Sequence, residues 1–168
     1  VDREDAYSCE SLERLYRSFN AGNHMIQSIS AEQKKEAREV TEEMWPRLLT
    51  KKDWLQITLD GVVIGEDIWA YYIRLHETEI ITDVHDEMKK MFLYRVLLIA
   101  IFWRDFFQRD HSIRAVIVVD GIYYEGLIRK FALVHGIKVY AVSEEQRILW
   151  NHFQPGRRYQ YYAQFFNE

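Results

Sequence analysis

The sequence has very little cysteine and no apolar run long enough to cross a membrane. Its single cysteine, Cys9, excludes an intramolecular disulfide and a cysteine-rich zinc site, and it fits a reducing compartment. The most apolar stretch, Met91–Trp103, contains Arg95 and is shorter than the roughly twenty residues that a membrane span needs. We therefore predict a buried core helix at Met91–Trp103.

Several patterns that identify common activities are also missing. The chain has no glycine-rich phosphate or dinucleotide loop, no His-Glu-x-x-His motif and no Gly-x-Ser-x-Gly motif. A net charge of −4 argues against nucleic-acid binding driven by phosphate attraction. We therefore expect no nucleic-acid partner and no cofactor.

The length and the absence of a linker point to one domain. With 168 residues the chain is long enough to bury a substantial core, and no stretch rich in Gly, Ser or Pro divides it. We predict a single α/β domain over 1–168. It comprises a helical N-terminal region at 1–50, an α/β core at 54–153 and an aromatic tail at 154–168.

The clearest pattern is a strand, a helix and a second strand in succession. Ile113–Val119 is a continuous β-branched run, typical of a strand covered on both faces. Tyr124–His135 has helical periodicity and ends at Gly136, and Ile137–Val142 is a second β-branched strand. This order predicts a parallel pair with a right-handed crossover. We expect a Rossmann-like fold with a small, mainly parallel sheet flanked by helices.

Caps and periodicity define the remaining elements. They predict a helix over Ala31–Leu49 interrupted near Pro46, a strand over Trp54–Leu59, a hairpin at Asp60-Gly61, and helices over Glu66–His76, Asp83–Gln108 and Ser143–Phe153. Asp83 is expected to cap the long helix, with Asp86 and Glu87 favouring its positive N-terminal end.

Asp120 is the first candidate for chemistry because it directly follows a buried strand. Ligands of open α/β sheets bind beyond the carboxyl ends of the strands, where Tyr123 and Tyr124 also lie. A carboxylate there can act as a general base or bind hydroxyl groups. Asp120 and Gly121 are equally explained as a turn that supplies backbone geometry alone. Both interpretations of Asp120 stay open.

The acidic middle of the chain contains residue types that bind metal ions. Asp83, His85, Asp86 and Glu87 are close in sequence. Helix capping and the preference of acids for a helix N-terminus already explain these residues, so we expect no metal site.

Two segments carry a resemblance to a known family. Leu59–Arg74 is a hairpin followed by a Gly-polar-x-Ile-aromatic-x-x-Tyr-aliphatic-Arg pattern. Val118–Gly136 is a strand followed by Tyr-x-x-Gly-aliphatic-x-Arg-x-x-Ala-x-x-x-Gly. Together they resemble bacterial surface-carbohydrate, or capsular-polysaccharide, glycosyltransferase-type proteins. The matching positions are Gly65, Ile68, Trp69, Tyr72, Ile73, Arg74, Tyr123, Gly126, Leu127, Arg129, Ala132 and Gly136. Leu12–Phe19 is also similar to that family's amphipathic opening.

The resemblance implies a two-domain GT-B enzyme of which this chain is the N-terminal, acceptor-facing half. A sugar nucleotide would bind mainly to a second domain beyond Glu168, and the glycan acceptor would face this one. The implied location is the cytoplasm, including the inner face of the membrane through peripheral association. The oligomeric state stays open.

The same resemblance suggests roles for individual residues. Asp120 is the first candidate for the catalytic base, and Glu125 is the second. Substrate-binding candidates are Gly65, Trp69, Tyr72, Arg74, Tyr123, Tyr124 and Arg129. Among these, aromatic rings would stack on sugars and an arginine would bind an anionic sugar or a phosphate. Both arginines are equally explained by structural ion pairs.

Two other classes of function fit the sequence. The aromatic segment Tyr159–Phe166 would suit a non-enzymatic interaction or scaffolding domain. The acidic middle would suit a divalent-metal-dependent phosphohydrolase or nuclease.

Overall fold

The computed structural model describes residues 29–76, 84–119, 123–142 and 148–151. The elements described below belong to the compact unit that begins at Ala31. The described helices are α1 (Ala31–Met44), α2 (Lys51–Leu55), α3 (Gly65–His76), α4 (Glu87–Arg109) and α5 (Tyr123–Val134). The described strands are β1 (Thr58–Leu59), β2 (Val62–Val63), β3 (Ala115–Val119), β4 (Lys138–Val142) and β5 (Ile148–Asn151). The described part is therefore an α/β protein, mostly helical, with two small sheets.

The first sheet is the hairpin that the sequence predicts. β1 pairs antiparallel with β2, and Leu59 lies opposite Val62. The two turn residues, Asp60 and Gly61, have φ values of 49° and 78°. Two consecutive left-handed residues form the turn type that matches the twist of a tight hairpin, and Asp-Gly is a preferred pair for it.

The second sheet contains the predicted βαβ unit. β3 and β4 are parallel from Ala115 opposite Lys138 to Val119 opposite Val142, and α5 connects them. β5 adds to the other side of β4 in the antiparallel direction, which makes the strand order β3-β4-β5. The described sheet is therefore mixed, with one parallel and one antiparallel pair.

The prediction of a helix over Ser143–Phe153 is wrong for the residues of this range that the structure describes. Residues 148–151 form β5, and the other residues of the prediction lie outside the described ranges. The Ser-x-x-Gln capping pattern is a local signal, whereas Ile148–Asn151 forms a complete ladder with Val139–Val142. Pairing with β4 overrides the local helix signal.

The prediction that the first strand is covered on both faces is also wrong. α5 packs on β3 and β4, and it covers the face that contains Val118 and Val139. On the opposite face the side chain of Ile117 is 70% exposed. β-Branched composition shows that a strand is favoured, but it does not show how many faces are covered.

The long helix α4 forms the centre of the core, as predicted. Its buried apolar side chains are Phe92, Leu93, Val96, Leu97, Ala100, Ile101 and Phe107. α1 and α5 both pack against it. None of the helices in the described ranges has the length and apolarity that a membrane span requires.

The start of α4 differs from the prediction. Asp86 is the N-cap, and its carboxylate accepts a hydrogen bond of 2.8 Å from the backbone N–H of Lys89. Asp83, the predicted cap, lies outside the described residues. The N-cap is the residue directly before the first helical residue. Because several acids lie close together here, the tertiary structure decides which of them becomes the N-cap.

The strand predicted over Trp54–Leu59 is mostly wrong. A reciprocal capping box between Thr50 and Asp53 starts α2, and only Thr58 and Leu59 are in a strand. Trp54 is buried and donates its indole N–H to the carbonyl of Val84 at 3.2 Å. The alternation of apolar residues resembled a strand, but the cap imposes a helical turn.

Two predicted helix ends are confirmed. α1 passes into a short 3₁₀ turn at Trp45–Arg47, where Pro46 stands. α5 ends before Gly136, which has a φ of 70°, and the N–H of Ile137 donates to the carbonyl of Ala132 at 2.9 Å. This is the left-handed glycine stop expected at a helix C-terminus.

Candidate functional site

α3 and α5 approach each other most closely at Asp67 and Gly126. The side chain of Asp67 is fully buried, with an exposed fraction of 0%. A Cβ atom at position 126 would lie 2.5 Å from Cγ of Asp67, closer than real contacts allow. Glycine at position 126 therefore lets the carboxylate of α3 contact the backbone of α5.

Lys130 neutralises that buried carboxylate. Its Nζ lies 2.6 Å from Oδ2 of Asp67 in a salt bridge, and it donates a hydrogen bond of 2.6 Å to the carbonyl of Val63. A buried carboxylate needs such a partner because desolvation of an isolated charge is costly. The pair fixes α5 on α3 and on the hairpin.

Gly65 has a similar packing role at the start of α3. A Cβ atom there would lie 2.6 Å from the carbonyl carbon and oxygen of Leu55 at the end of α2. Gly65 therefore allows α3 to begin directly against α2, and it belongs to the packed interior.

An aromatic group lies at the N-terminal end of α5, a few residues after β3 ends. The ring of Tyr124 is 5.5 Å from that of Tyr71, which is 5.6 Å from that of Phe92. We call Tyr71, Phe92 and Tyr124 the strand-end aromatic group. Tyr124 is 43% exposed, so this group presents an aromatic surface to solvent.

Glu125 adds a carboxylate beside the strand-end aromatic group. Partial burial raises the pKa of the Tyr124 hydroxyl. The charge of Glu125, and the hydrogen bond that the hydroxyl donates to this carboxylate, raise the pKa further. Tyr124 is therefore a neutral hydroxyl at physiological pH, next to a carboxyl group that can accept hydrogen bonds.

An ion pair between the buried Lys89 and the partly exposed Asp86 lies near Tyr72, the neighbour of Tyr71. Lys89 is buried, forms a salt bridge with Asp86 and lies 5.4 Å from the centre of the Tyr72 ring. Burial alone lowers the pKa of Lys89, but the hydrogen bond to Asp86 and the charges nearby outweigh it and the pKa is raised. The sequence alone predicts no role for Lys89, although a lysine three residues after the acid Asp86 is a detectable signal.

The structure separates the predicted substrate-binding residues into two sets. Tyr124 and Arg74 are exposed, and Tyr123 is half-buried with a φ of 57°. Gly65, Trp69, Tyr72 and Arg129 are buried. The buried set has packing roles, such as the contact of Trp69 with Trp54 at 6.0 Å between ring centres.

The two predicted catalytic residues differ in how far they can be placed. Glu125 is half-buried in the first turn of α5, next to Tyr124. Asp120 lies outside the described residues. The same holds for the aromatic segment Tyr159–Phe166 that suggested an interaction domain.

Asp86 and His85, the two residues directly before α4, have structural partners. Asp86 caps α4 and pairs with Lys89. His85 stacks on Trp45 with 4.1 Å between ring centres, and its Nδ1 lies 3.2 Å from the carbonyl oxygen of Leu48. Within the described ranges no three His, Cys, Asp or Glu side chains are grouped closely enough to hold a metal ion.

Comparison of the chain with protein families, with curated proteins and with solved structures gives no match.

Proposed function

We propose that this chain is the acceptor-side, Rossmann-like domain of a sugar-nucleotide-dependent glycosyltransferase that builds bacterial surface polysaccharide. One observation carries the proposal. The two segments that resemble this family lie on α3 and α5, and these helices pack directly through Asp67, Gly126 and Lys130. Segments distant in sequence thus form one structural unit.

The chemistry at the end of β3 fits a sugar acceptor. Tyr124 and Tyr71 offer aromatic faces on which the apolar face of a sugar ring can stack. The carboxyl group of Glu125 can accept hydrogen bonds from sugar hydroxyls. The acceptor therefore binds over Tyr124, and Glu125 orients its hydroxyl groups.

The transfer step needs a base at the attacking hydroxyl. Asp120 follows β3 in the sequence and is our first candidate, and Glu125 is the second. The base removes the proton of the acceptor hydroxyl as its oxygen attacks the anomeric carbon. The bond from that carbon to the phosphate oxygen breaks, and the nucleotide (UDP, GDP or CMP, according to the donor) leaves with the bonding electrons.

The assignment of the base is tested by turnover in the full-length protein with a panel of UDP-, GDP- and CMP-sugars. Replacing a general base lowers the rate by about 10²–10⁴-fold, so we expect a loss of that order for Asp120→Ala or Glu125→Gln. Glu42→Gln, at an exposed acid on α1, is the control. Full turnover in both variants would remove these base assignments, and no transfer from any donor would contradict the glycosyltransferase proposal.

Acceptor binding is tested separately on the 168-residue chain. We expect this chain to bind sugar nucleotides weakly and to turn over none, because the donor side lies in another domain. Tyr124→Ala should weaken the binding of a polysaccharide acceptor by about tenfold, since one lost stacking contact is worth about 0.5–1.5 kcal/mol beyond area burial. Tyr94→Ala, a half-buried tyrosine on α4, is the matched control.

A further inference from the structure

β3 has the composition of a strand that is covered on both faces and paired on both edges. Its five residues, Ala115–Val119, are all apolar and four of them are valine or isoleucine. Protein edge strands usually have charges, prolines or bulges that prevent pairing with other chains. β3 has no charged residue and no proline, and Ile117 is the most exposed of the large apolar side chains whose burial the structure describes.

β3 is also an edge strand, since among the described strands it pairs only with β4. The N–H of Lys138 donates to the carbonyl of Arg114 at 3.2 Å. This hydrogen bond shows which residues of β3 direct their backbone groups toward β4. The backbone N–H and C=O groups of the even-numbered residues of β3 therefore form the hydrogen bonds to β4. The backbone N–H and C=O groups of Ala115 and Ile117 point to the outer edge of the sheet.

We propose that this outer edge binds a second copy of the chain, with β3 pairing antiparallel to β3 of the other copy across a twofold axis at Ile117. The pairs in this register are 117 with 117 and 115 with 119. These odd-numbered residues are the ones whose backbone groups point outward, so they form hydrogen-bonded pairs. No other register pairs the whole of β3.

The proposed register also gives the exposed side chain a partner. Residues directly opposite each other in an antiparallel pair place their side chains on the same face. Ile117 of one copy therefore lies beside Ile117 of the other, on the face that α5 leaves open. Contact between the two isoleucines removes apolar surface from water.

The register also joins the two three-stranded sheets that the described strands form. The result is one sheet of six described strands, which is an ordinary size.

The proposal is tested first by sedimentation velocity of the 168-residue chain over a range of concentrations. We expect a monomer of 20.3 kDa at low concentration and twice that mass at higher concentration. Ile117→Lys places two like charges at the axis and should raise the dissociation constant at least about tenfold. Val134→Lys introduces the same charge at a side chain that is 58% exposed on α5, and it should leave association unchanged.

A charge-swap experiment then locates the axis. Ile117→Lys and Ile117→Glu should each be monomeric at concentrations where the native chain is a dimer, and an equal mixture of the two should associate again. Circular dichroism confirms that each variant is folded. The proposal is overturned by a native chain that stays monomeric up to about 100 µM. It is equally overturned by Ile117→Lys that dimerises like the native chain, or by a mixture that stays monomeric.

Discussion

The ammonium group of Lys130 on α5 lies 2.6 Å from the fully buried carboxylate of Asp67 on α3. This pair joins α3 to α5, and Lys130 also reaches the hairpin through the carbonyl of Val63. Removing one member of a buried pair leaves an uncompensated charge, which costs more than the intact pair contributes.

Lys130→Met should therefore lower the free energy of unfolding by about 3 kcal/mol, because it leaves the carboxylate of Asp67 without its cation. Urea unfolding followed by tryptophan fluorescence measures the change. Lys90→Met is the matched control, because Glu42, its partner, is exposed, and it should cost less than about 1 kcal/mol. Equal losses in both variants would contradict the special role of the buried pair.

Gly126→Ala should destabilise the protein even though it replaces glycine inside a helix. Alanine normally stabilises a helix by about 1 kcal/mol relative to glycine, but here its Cβ would collide with the carboxylate of Asp67. Thermal unfolding measures the effect. With Asp67→Ala present the collision is gone, so the double variant should be more stable than the sum of the single effects predicts. Strict additivity would show that the contact does not limit position 126.

Arg104 connects α4 with α1 and with the hairpin turn. Its guanidinium forms two hydrogen bonds with Glu36, at 2.6 and 2.8 Å, and one with Asp60 at 3.0 Å. Hydrogen bonding with Glu36 raises the pKa of Arg104 above its ordinary value and outweighs the effect of burial. Arg104→Met should lower the free energy of unfolding by about 1.5–3 kcal/mol, the range for hydrogen bonds to charged groups, because Glu36 and Asp60 are partly exposed. Arg47→Met, at an exposed pair, should change it by less than about 0.5 kcal/mol, and chemical denaturation compares the two.

Asp86 should make stability depend on pH in the acid range. Burial raises the pKa of its carboxyl, but the hydrogen bonds from the side chain and the backbone of Lys89 outweigh burial, so the pKa lies below the ordinary 3.8. A folded-state pKa below the unfolded one means that the charge stabilises the protein fully above about pH 4. That contribution is lost as the pH falls through the folded-state pKa.

Asp86→Asn keeps the cap and removes the charge. The difference in free energy of unfolding between the native chain and this variant should therefore be constant near neutral pH and should shrink below about pH 4. Urea unfolding at a series of pH values measures it, with Glu87→Gln at the neighbouring exposed acid as the control. A difference that persists unchanged in strong acid would show that the charge of Asp86 is not responsible.

Local sequence signals determined the elements whose information lies within a few residues. Asp60 and Gly61 adopt the left-handed conformations that a tight hairpin requires, and Gly136 adopts the one that ends a helix. The apolar periodicity of α3, α4 and α5 likewise comes from residues three and four apart, so their existence was predictable.

Only the tertiary structure decided the features that depend on distant partners. Ile148–Asn151 became a strand because β4 offered an unpaired edge, and Ile117 stayed exposed because α5 covers only the other face. The candidate site likewise combines features that local sequence predicts with contacts that only the tertiary structure provides. The sequence placed Tyr124 and Glu125 after a strand, but the meeting of Asp67, Gly126 and Lys130 joins positions about sixty residues apart. No local pattern encodes such a contact, because its energy arises only when burial removes the two charges from water.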